Sequence, residues 1–474
     1  MKLMVTTLET IVFPYVVKFN EYLSNYILVF LLAGVGIWYT FKTKFVQIRC
    51  FFEGLKHAFF NMKELEGGKH SMSSFQALAT SIAAQVGTGN IVGASGAILV
   101  GGPGAIFWMW LIAFFGMATI YAEAVLAVKT RIKDDNGKIK GGPVYYITSV
   151  FKGKFGKILA SFFALATILA LGFMGCMVQS NSISYCMQTA FGIQPYIIGI
   201  VLVILCSIIF IGGIKRLATV TEKIVPFMAL FFIIGGLIVL FNRAEYFLYS
   251  IKIIFKYAFE PQAILGGSFF YAIKLAISQG AKRGLFSNEA GMGSTPHAHA
   301  LAEVDNPHVQ GTVAMIGVFV DTFIILTLNA LVIISVLYTP DGLLYNGYNG
   351  AVLDVLNKTN LVQTAFGNIF GEHIGAIFVA ICLMFFAFST IISWNLFGRI
   401  NANYLFGRKH PKIANLIYTI IALCFIMAGS TVSSDFVWEL TDMFNNLMVI
   451  PNAIALFALS SIVSKIAKNK CDKA

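Results

Sequence analysis

Four residues inside an apolar run have the types and spacing of a binding site rather than of a plain membrane anchor: Gly87-Thr88-Gly89-Asn90, within residues 75–100. Each glycine costs a helix interior roughly 1 kcal/mol relative to alanine, and Asn90 adds a polar amide at a depth where little water is available. A helix broken there frees backbone N–H and C=O groups that can hold a carboxylate or a cation. The pattern therefore predicts half of a substrate and ion site.

The chemistry of this stretch can be assigned group by group. Backbone N–H groups near Thr88 and Gly89 would take a carboxylate at the positive end of a half-helix. Carbonyl oxygens near Ala83 and Val86, with the amide oxygen of Asn90, suit Na⁺. The alternative is a packing face of small residues, common between membrane helices, which accounts for the glycines better than for Asn90.

A second polar stretch interrupts another apolar segment: Phe286-Ser287-Asn288-Glu289-Ala290-Gly291-Met292-Gly293-Ser294. Amide and acidic side chains are costly inside a span and indicate a functional site. The alternative is a cytoplasmic loop, if the helix before it ends near Gly280. Lys282 and Arg283 either pair with Glu289 or mark that helix end.

Other polar residues lie in separate apolar segments. The hydroxyls of Ser389 and Thr390 either complete a sodium site with the carbonyls of the first stretch or form hydrogen bonds between helices. Asp321 either binds a cation or a proton, or pairs with a basic residue. Gln179 lies late in a long segment, and for Glu123 we predict a structural pairing.

No transition-metal site is predicted. His297 and His299 are two residues apart and do not share a helix face, and no H-E-x-x-H motif is present. The sequence also contains no P-loop and no G-x-S-x-G motif, which argues against a primary pump and a serine hydrolase. An intramembrane enzyme would need a catalytic pair that the residues do not supply.

Composition sets the class of protein. Of 474 residues, 58% are hydrophobic and 12% are charged, with a mean hydropathy of +0.79, whereas a soluble domain carries about 25% charged residues. We therefore predict an all-α polytopic membrane protein, preceded by an interfacial or short leading helix at 5–22. About eleven stretches are long enough to span a bilayer: 24–39, 71–99, 104–128, 157–190, 194–212, 217–241, 262–300, 311–338, 374–398, 412–428 and 440–464.

Loop charges predict the orientation. The segments 41–70, 129–157, 213–223, 399–412 and 465–474 contain 25 Lys and Arg residues, against 6 in the loops of the opposite side. Because Lys and Arg stay on the cytoplasmic side, the N-terminus is predicted outside and the C-terminus inside a cell membrane. The net charge of +12 then reflects this bias and attraction to membrane lipid, and no nucleic-acid partner is expected.

The two interrupted segments are five spans apart and so run in opposite directions. Two five-helix units of inverted topology, each opening with a broken helix, form a known plan of secondary transporters. We predict a leading region at 1–70, a first repeat at 71–241, a second repeat at 262–464 and a cytoplasmic tail at 465–474. The first span lies outside the repeat.

Several motifs together resemble the alanine or glycine:cation symporter family over nearly the whole chain. They are Gly87-Thr88-Gly89-Asn90-Ile91-Val92-Gly93, Gly101-Gly102-Pro103-Gly104-Ala105, Gly141-Gly142-Pro143 with Tyr145-Tyr146, the stretch from Phe286 to Ser294 with Ala298-His299-Ala300, Asp321-Thr322, and Ser389-Thr390 with Trp394. The resemblance implies a leucine-transporter-like inverted repeat of five plus five helices, with one extra leading helix and two discontinuous helices. It implies a prokaryotic sodium-coupled importer of alanine, glycine or both, with Na⁺ as the coupling ion and no cofactor.

The resemblance also implies roles for individual residues. Thr88 and Gly89 would face the substrate carboxylate, and Trp394 would limit the size of the substrate side chain. The other residues implied around the substrate are Gln179, Phe286, Ser287, Asn288 and Met292. Ala83, Val86, Ser389 and Thr390 resemble one sodium site and Asn90 reaches a second, while Glu289 and Asp321 are candidate coupling or structural acids.

Two alternatives remain open at this point: a proton-coupled amino-acid symporter of the same fold, and an ion channel. A channel would give ion flux without saturable amino-acid uptake. The residues do not discriminate alanine from glycine or D- from L-isomers, nor do they give the stoichiometry. They leave the oligomeric state open, and a monomer is compatible with them.

Overall fold

Helices dominate the chain because a membrane offers the backbone no water to bind, so each spanning segment must satisfy its own N–H and C=O groups. A computed structural model describes residues 2–60, 71–134, 137, 139–260, 269–345, 356–407 and 410–471. Within them, seven helices are long and apolar enough to cross a membrane, and a bent pair adds an eighth. The predicted all-α polytopic fold is therefore confirmed.

The first half of the chain forms these elements, with π-helical turns inside several spans: Lys2–Tyr22, Leu23–Leu28 (π), Val29–Lys42, Val46–Arg49, Phe51–Phe59, Ser74–Gln85, Gly89–Gly93 (π), Ala94–Gly101, Ala105–Thr130, strands Ile132–Lys133 and Ile139–Lys140, Pro143–Val150, Gly153–Thr167, Ile168–Gly175 (π), Cys176–Phe191, Pro195–Ile211, Gly213–Asn242, a 3₁₀ turn at Ala244–Tyr246, and Phe247–Phe259. The two strands pair as an antiparallel hairpin, a small β element that the sequence did not predict.

The second half of the chain forms these helices: Phe269–Asn288, Pro296–Ala300, Pro307–Val318, Phe319–Leu326 (π), Thr327–Leu337, Leu361–Phe370, Glu372–Phe406, Pro411–Gly429 and Ser434–Cys471. Within the described residues, each of the eleven predicted spans coincides with a helix or a run of helices; residues 262–268 of the seventh span lie outside them. The segments outside the eight-span count are two short apolar helices, Val29–Lys42 and Pro195–Ile211, and Phe269–Asn288, which carries Lys274, Lys282 and Arg283.

The leading region differs from the prediction. A separate helix at 5–22 and a first span at 24–39 were expected, but helix Lys2–Tyr22 runs through the π-helical turn Leu23–Leu28 into Val29–Lys42. Pro14 lies inside this helix and does not end it. The described part therefore begins with one continuous helical run, and residues 61–70 of the predicted leading region lie outside the described residues.

The first broken helix consists of Ser74–Gln85 and Gly89–Gly101, bent by 42°. We call residues 86–88 between them the first break. A capping box at Ser73 and Gln76 starts the first half, as expected where orphan backbone donors must be satisfied. Every residue of 86–93 is buried, so the unwound backbone faces protein and not lipid.

The second broken helix is less symmetric. Helix Phe269–Asn288 extends past Gly280 and is followed by an unwound stretch and the short helix Pro296–Ala300. We call residues 289–295 the second break. It begins at Glu289, not at Phe286 as predicted, because backbone angles with positive φ fall at Glu289 (56°), Gly291 (91°) and Gly293 (79°). All residues of the break are buried, so the interpretation as a cytoplasmic loop is wrong.

Candidate functional site

The first break frees carbonyl oxygens that a continuous helix would use. The N–H of Gly87, which in an α-helix would donate to the carbonyl of Ala83, donates instead to Oδ1 of Asn90 at 3.0 Å. The hydroxyl of Thr390 takes its place and donates to Ala83 O at 2.8 Å. A β-carbon on Gly87 would collide with the Thr390 hydroxyl, so this approach requires glycine.

Four oxygen atoms converge at this point. The Thr390 hydroxyl also lies 3.5 Å from Val86 O and 3.0 Å from Phe386 O, although one hydroxyl proton can serve only one of the three carbonyls. The structure thus brings together Ala83, Val86 and Thr390, three of the predicted sodium ligands. The Phe386 carbonyl was missed, because a main-chain oxygen leaves no signal in the residue types.

Ser389, predicted as a ligand of the same ion, contacts only the Phe386 carbonyl of this cluster. Its hydroxyl donates to Phe386 O at 2.9 Å within its own helix and lies 3.5 Å from the sulfur of Met228. Of the two adjacent hydroxyls, the structure therefore directs that of Thr390, and not that of Ser389, at the carbonyls of the first break.

The predicted carboxylate-binding residues lie next to these oxygens. The Thr88 N–H donates to Oε1 of Gln179 at 3.2 Å. The Thr88 hydroxyl and Nε2 of Gln179 are buried and have no hydrogen-bond partner among the described residues. Buried polar groups are normally paired, so these two atoms offer unused hydrogen-bonding capacity to a small polar ligand.

Aromatic rings border the same region. The ring of Phe286 packs edge-on against Trp394, with centroids 5.7 Å apart, and lies 4.8 Å from the ring of Trp438. A β-carbon on Gly89 would lie 2.9 Å from Cα of Ser287, so glycine lets the two broken helices touch. Trp438 was missed, since a single aromatic residue in an apolar helix has no distinguishing pattern.

Asp321 lies beside the first break in a cluster of neutral donors. It accepts hydrogen bonds from Nδ2 of Asn90 at 2.6 Å, from the Ser287 hydroxyl at 3.0 and 3.1 Å, and from the Thr322 hydroxyl at 2.8 Å. No basic residue in the described chain forms an ion pair with it. Of the two predicted roles, the structure therefore favours a cation or proton site, with Asn90 and Ser287 as its neighbours.

Glu289, at the start of the second break, is also held by neutral donors. Nε1 of Trp394 donates to its carboxylate at 2.5 Å, and the Ser294 hydroxyl donates to the other oxygen. Of the two alternatives for Lys282 and Arg283, the pairing with Glu289 is wrong, because Lys282 bonds to Glu439 and both basic residues bond to Asp442.

The remaining predicted residues of this stretch form hydrogen bonds that shape the backbone of the second break. The Asn288 carbonyl accepts from Nε2 of Gln85 at 2.8 Å, and its side-chain oxygen accepts from Ala290 N at 3.0 Å. The N–H of Met292 donates to Glu289 O at 3.1 Å. Asn288 and Met292 thus shape the second break, and Gln85 links it to the first.

The carboxylate of Glu123 accepts hydrogen bonds from the backbone of the second break. It accepts from Gly293 N at 2.9 Å, from Gly291 N at 3.2 Å and from Nδ2 of Asn452 at 2.6 Å. The predicted structural pairing of Glu123 is confirmed, and its partners are two backbone N–H groups and one side-chain amide. These partners were not foreseen, because all three lie far from Glu123 in sequence.

The two histidines of the second broken helix are fully buried. His297 bonds through Nδ1 to Ser294 O and through Nε2 to the Asn401 amide, at 2.7 and 2.8 Å. His299 lies 2.7 Å from Nε2 of Gln310. These hydrogen bonds hold His297 at both ring nitrogens and His299 at Nδ1, while Nε2 of His299 is buried without a partner among the described residues.

A cavity of about 680 Å³ leads toward the aromatic rings from the end of the bundle opposite the basic loops. Trp438 lines it, with the guanidinium of Arg283 4.7 Å and the amine of Lys358 5.4 Å from its ring centre. Trp438 also touches Phe286, so this tryptophan and the ion pairs of Arg283 separate the cavity from the first break.

Comparison with known proteins now decides the family. Residues 9–473 match the model of the sodium:alanine symporter family. The chain belongs to this family. It is therefore a membrane transporter and not an enzyme, as predicted.

Relatives within the family differ in their named substrates. The chain is 40% identical over 445 residues to a sodium/alanine symporter of Methanococcus maripaludis, covering 94% of each protein. It is 37% identical to a putative sodium/proton-dependent alanine carrier of Bacillus subtilis, covering 94% of this chain and 90% of that one. It is 36% identical to a probable sodium/glutamine symporter of the same organism, covering 94% and 87%.

Solved structures agree on the fold. The transporter MhsT in complex with L-phenylalanine matches with a TM-score of 0.54 at 16% identity, covering 85% of this chain and 99% of that one. A manganese transporter of Eremococcus coleocola matches with a TM-score of 0.51 at 15% identity, covering 85% and 81%. The predicted leucine-transporter-like fold is confirmed.

Proposed function

We propose that this protein imports alanine, glycine or both together with Na⁺ by alternating access. The observation that carries the proposal is the cluster of Ala83 O, Val86 O, Phe386 O and the Thr390 hydroxyl at the first break. Carbonyl and hydroxyl oxygens at an unwound helix are typical ligands of a coupling Na⁺. Family membership and the named sodium symporters among the relatives support the same ion.

The substrate carboxylate would bind beside this ion. The Thr88 N–H, the Thr88 hydroxyl and Nε2 of Gln179 supply donors at the first break, and Gly89 extends the same backbone. Trp394 and Phe286 would bound the side chain. Because indole and phenyl rings leave little room there, the pocket favours a methyl group or hydrogen over a longer side chain.

A second cation site is proposed around Asp321. Its carboxylate and the hydroxyls of Ser287 and Thr322 form a buried group of oxygens without a basic partner in the described chain, and Nδ2 of Asn90 donates to the same carboxylate. A buried carboxylate needs a compensating cation or a proton. Na⁺ at this point would be held by charge as well as by dipoles.

The distribution of basic residues among the loops supports a direction of transport. The excess of Lys and Arg in the loops at the end opposite the 680 Å³ cavity supports a cytoplasmic position for that end, so the cavity would be the extracellular entrance. Each positive charge that moves inward across about 100 mV gains roughly 2.3 kcal/mol. One Na⁺ would thus support an amino-acid gradient of about fifty-fold before its own concentration difference is counted.

Proton coupling is the second candidate. Glu289 and Asp321 are buried acids held only by neutral donors in the described chain, and one relative is named a sodium/proton-dependent alanine carrier. Either carboxyl could carry a proton across in place of, or together with, Na⁺.

Uptake into proteoliposomes tests the proposal. Labelled alanine and labelled glycine would be offered under an inward Na⁺ gradient, with choline as the control cation. We expect saturable uptake that requires Na⁺. Uptake driven instead by a pH gradient would favour the second candidate, and ion flux without amino-acid uptake would contradict both.

A further inference from the structure

A separate group of metal-binding side chains lies where helix Phe51–Phe59 packs against helix Pro307–Val318. The ligand atoms of Cys50, Glu53 and His308 all lie within 4.8 Å of one another. Cys50 and His308 are each 1% exposed, and Nε2 of His308 lies 3.3 Å from Oε2 of Glu53. A buried sulfur, a buried imidazole nitrogen and a half-buried carboxylate therefore meet at one point.

A second imidazole lies beside this group. His57 follows Glu53 by four residues on the same helix face, and its Nε2 lies 3.5 Å from Oε1 of Glu53. The two imidazoles thus approach the two oxygens of one carboxylate. Zn²⁺ in proteins is bound by this mixture of nitrogen, sulfur and oxygen, usually with four ligands.

The surroundings of His308 fit a ligand role. Its Nδ1 lies 2.7 Å from the hydroxyl of Tyr121. With the proton on Nδ1 and donated to Tyr121, Nε2 presents its lone pair toward Glu53, which is the arrangement that second-sphere partners impose on metal-binding histidines. A β-carbon on Gly54 would lie 2.7 Å from Thr312 O, so the two helices are packed too closely for the ligands to separate easily.

Cys50 is disulfide-bonded in this structure, and a disulfide sulfur does not serve as a thiolate ligand. The orientation proposed above places this end of the protein in the cytoplasm, where thiols are kept reduced. We propose that reduction of this disulfide releases a metal site in which Cys50, Glu53 and His308 bind Zn²⁺ or a similar transition-metal ion, with solvent in the fourth position.

Reduction of the disulfide is balanced in electrons and protons. A cellular dithiol supplies two electrons and two protons, the disulfide becomes two thiols, and the dithiol leaves as its own disulfide. The Cys50 thiol then gives its proton to solvent as the sulfur binds the cation. A bound ion would tie helix Phe51–Phe59 to the helix that continues into Asp321, so metal and redox state would act on the packing of a transport helix.

Cobalt binding tests the site without relying on transport. The full-length protein in detergent would be stripped of metal, reduced with a phosphine or left oxidised, and titrated with Co²⁺. We expect one Co²⁺ per chain in the reduced protein, with the visible absorption of a tetrahedral thiolate complex, and none in the oxidised protein. Zn²⁺ should displace it. The variant C50S should abolish the thiolate absorption, and H308A should weaken binding at least tenfold.

Matched controls distinguish loss of the metal site from loss of the fold. Cys424 is an exposed free cysteine, so C424S should leave the absorption unchanged, and each variant should retain the helical circular dichroism of the parent. Absent thiolate absorption in the reduced parent protein would overturn the proposal, as would equal binding by C50S or equal binding before reduction. Glu53→Gln provides a second test that keeps the size of the side chain and should also weaken binding.

Discussion

Replacing Glu123 by glutamine is expected to disturb the second break without changing the size of the side chain. The two carboxylate oxygens accept three hydrogen bonds: Oε1 from Gly293 N and Asn452 Nδ2 at 2.9 and 2.6 Å, and Oε2 from Gly291 N at 3.2 Å. In glutamine one of these oxygens becomes an NH₂ group, which donates and does not accept. At least one buried donor then faces another donor.

The size of the effect follows from that lost acceptor. A hydrogen bond to a charged group contributes about 1.5–3 kcal/mol, and a buried donor left unpaired costs about 1–3 kcal/mol. We therefore expect the conformation with this geometry of the second break to lose about 2 kcal/mol, which corresponds to roughly 30-fold in an equilibrium or a rate. Glu123→Asp keeps both acceptor oxygens and should lose less.

The assay is the initial rate of Na⁺-driven alanine uptake into proteoliposomes, normalised to the reconstituted protein. Glu245→Gln is the matched control, because this glutamate is exposed and its replacement removes the same charge. Uptake by the Glu123→Gln variant within twofold of the parent rate would refute the reasoning, since it would mean that the break does not depend on a carboxylate with two acceptor oxygens.

Three further predictions concern the first break and the pocket. Thr390→Ala should raise the Na⁺ concentration for half-maximal uptake about tenfold, whereas Ser389→Ala should change it less than threefold. The reason is that only the Thr390 hydroxyl reaches the carbonyls of Ala83 and Val86. A larger effect of Ser389→Ala in a sodium titration would contradict the ion site. Gly175→Ala would place a methyl group 2.5 Å from the ring of Trp394, so the KM for alanine should rise more than the KM for glycine; equal changes would argue that this ring does not set pocket size. Trp394→Ala should admit larger side chains such as glutamine in competition assays, and an unchanged substrate range would rule out its role as the size limit.

The two interruptions were predictable from sequence because they break a strong rule locally. Glycines and polar residues in an apolar run conflict with a continuous membrane helix, and both breaks occur there. The prediction placed the start of the second interruption three residues early. The composition of Phe286-Ser287-Asn288 is as polar as that of the break, and only backbone angles at Glu289, Gly291 and Gly293 distinguish the two.

Other parts of the site depend on contacts between distant residues and left no local pattern. Glu123 reaches Gly291 across 168 residues of sequence, and Trp438 meets Phe286 from the last long helix. The choice between Ser389 and Thr390 depends on which hydroxyl the helix turns toward Ala83. Such choices are decided by helix packing, which a single sequence does not encode in a readable form.

The first break is internally satisfied in a way that bears on turnover. Asn90 accepts from the Gly87 N–H, Thr390 donates to Ala83 O, and Gln179 accepts from the Thr88 N–H. Cargo would therefore replace these hydrogen bonds, and only the Thr88 hydroxyl and Nε2 of Gln179 would gain a new partner, so that loading is largely an exchange with a small net gain in free energy. A carrier built in this way can release its cargo quickly and complete the return half of its cycle unloaded.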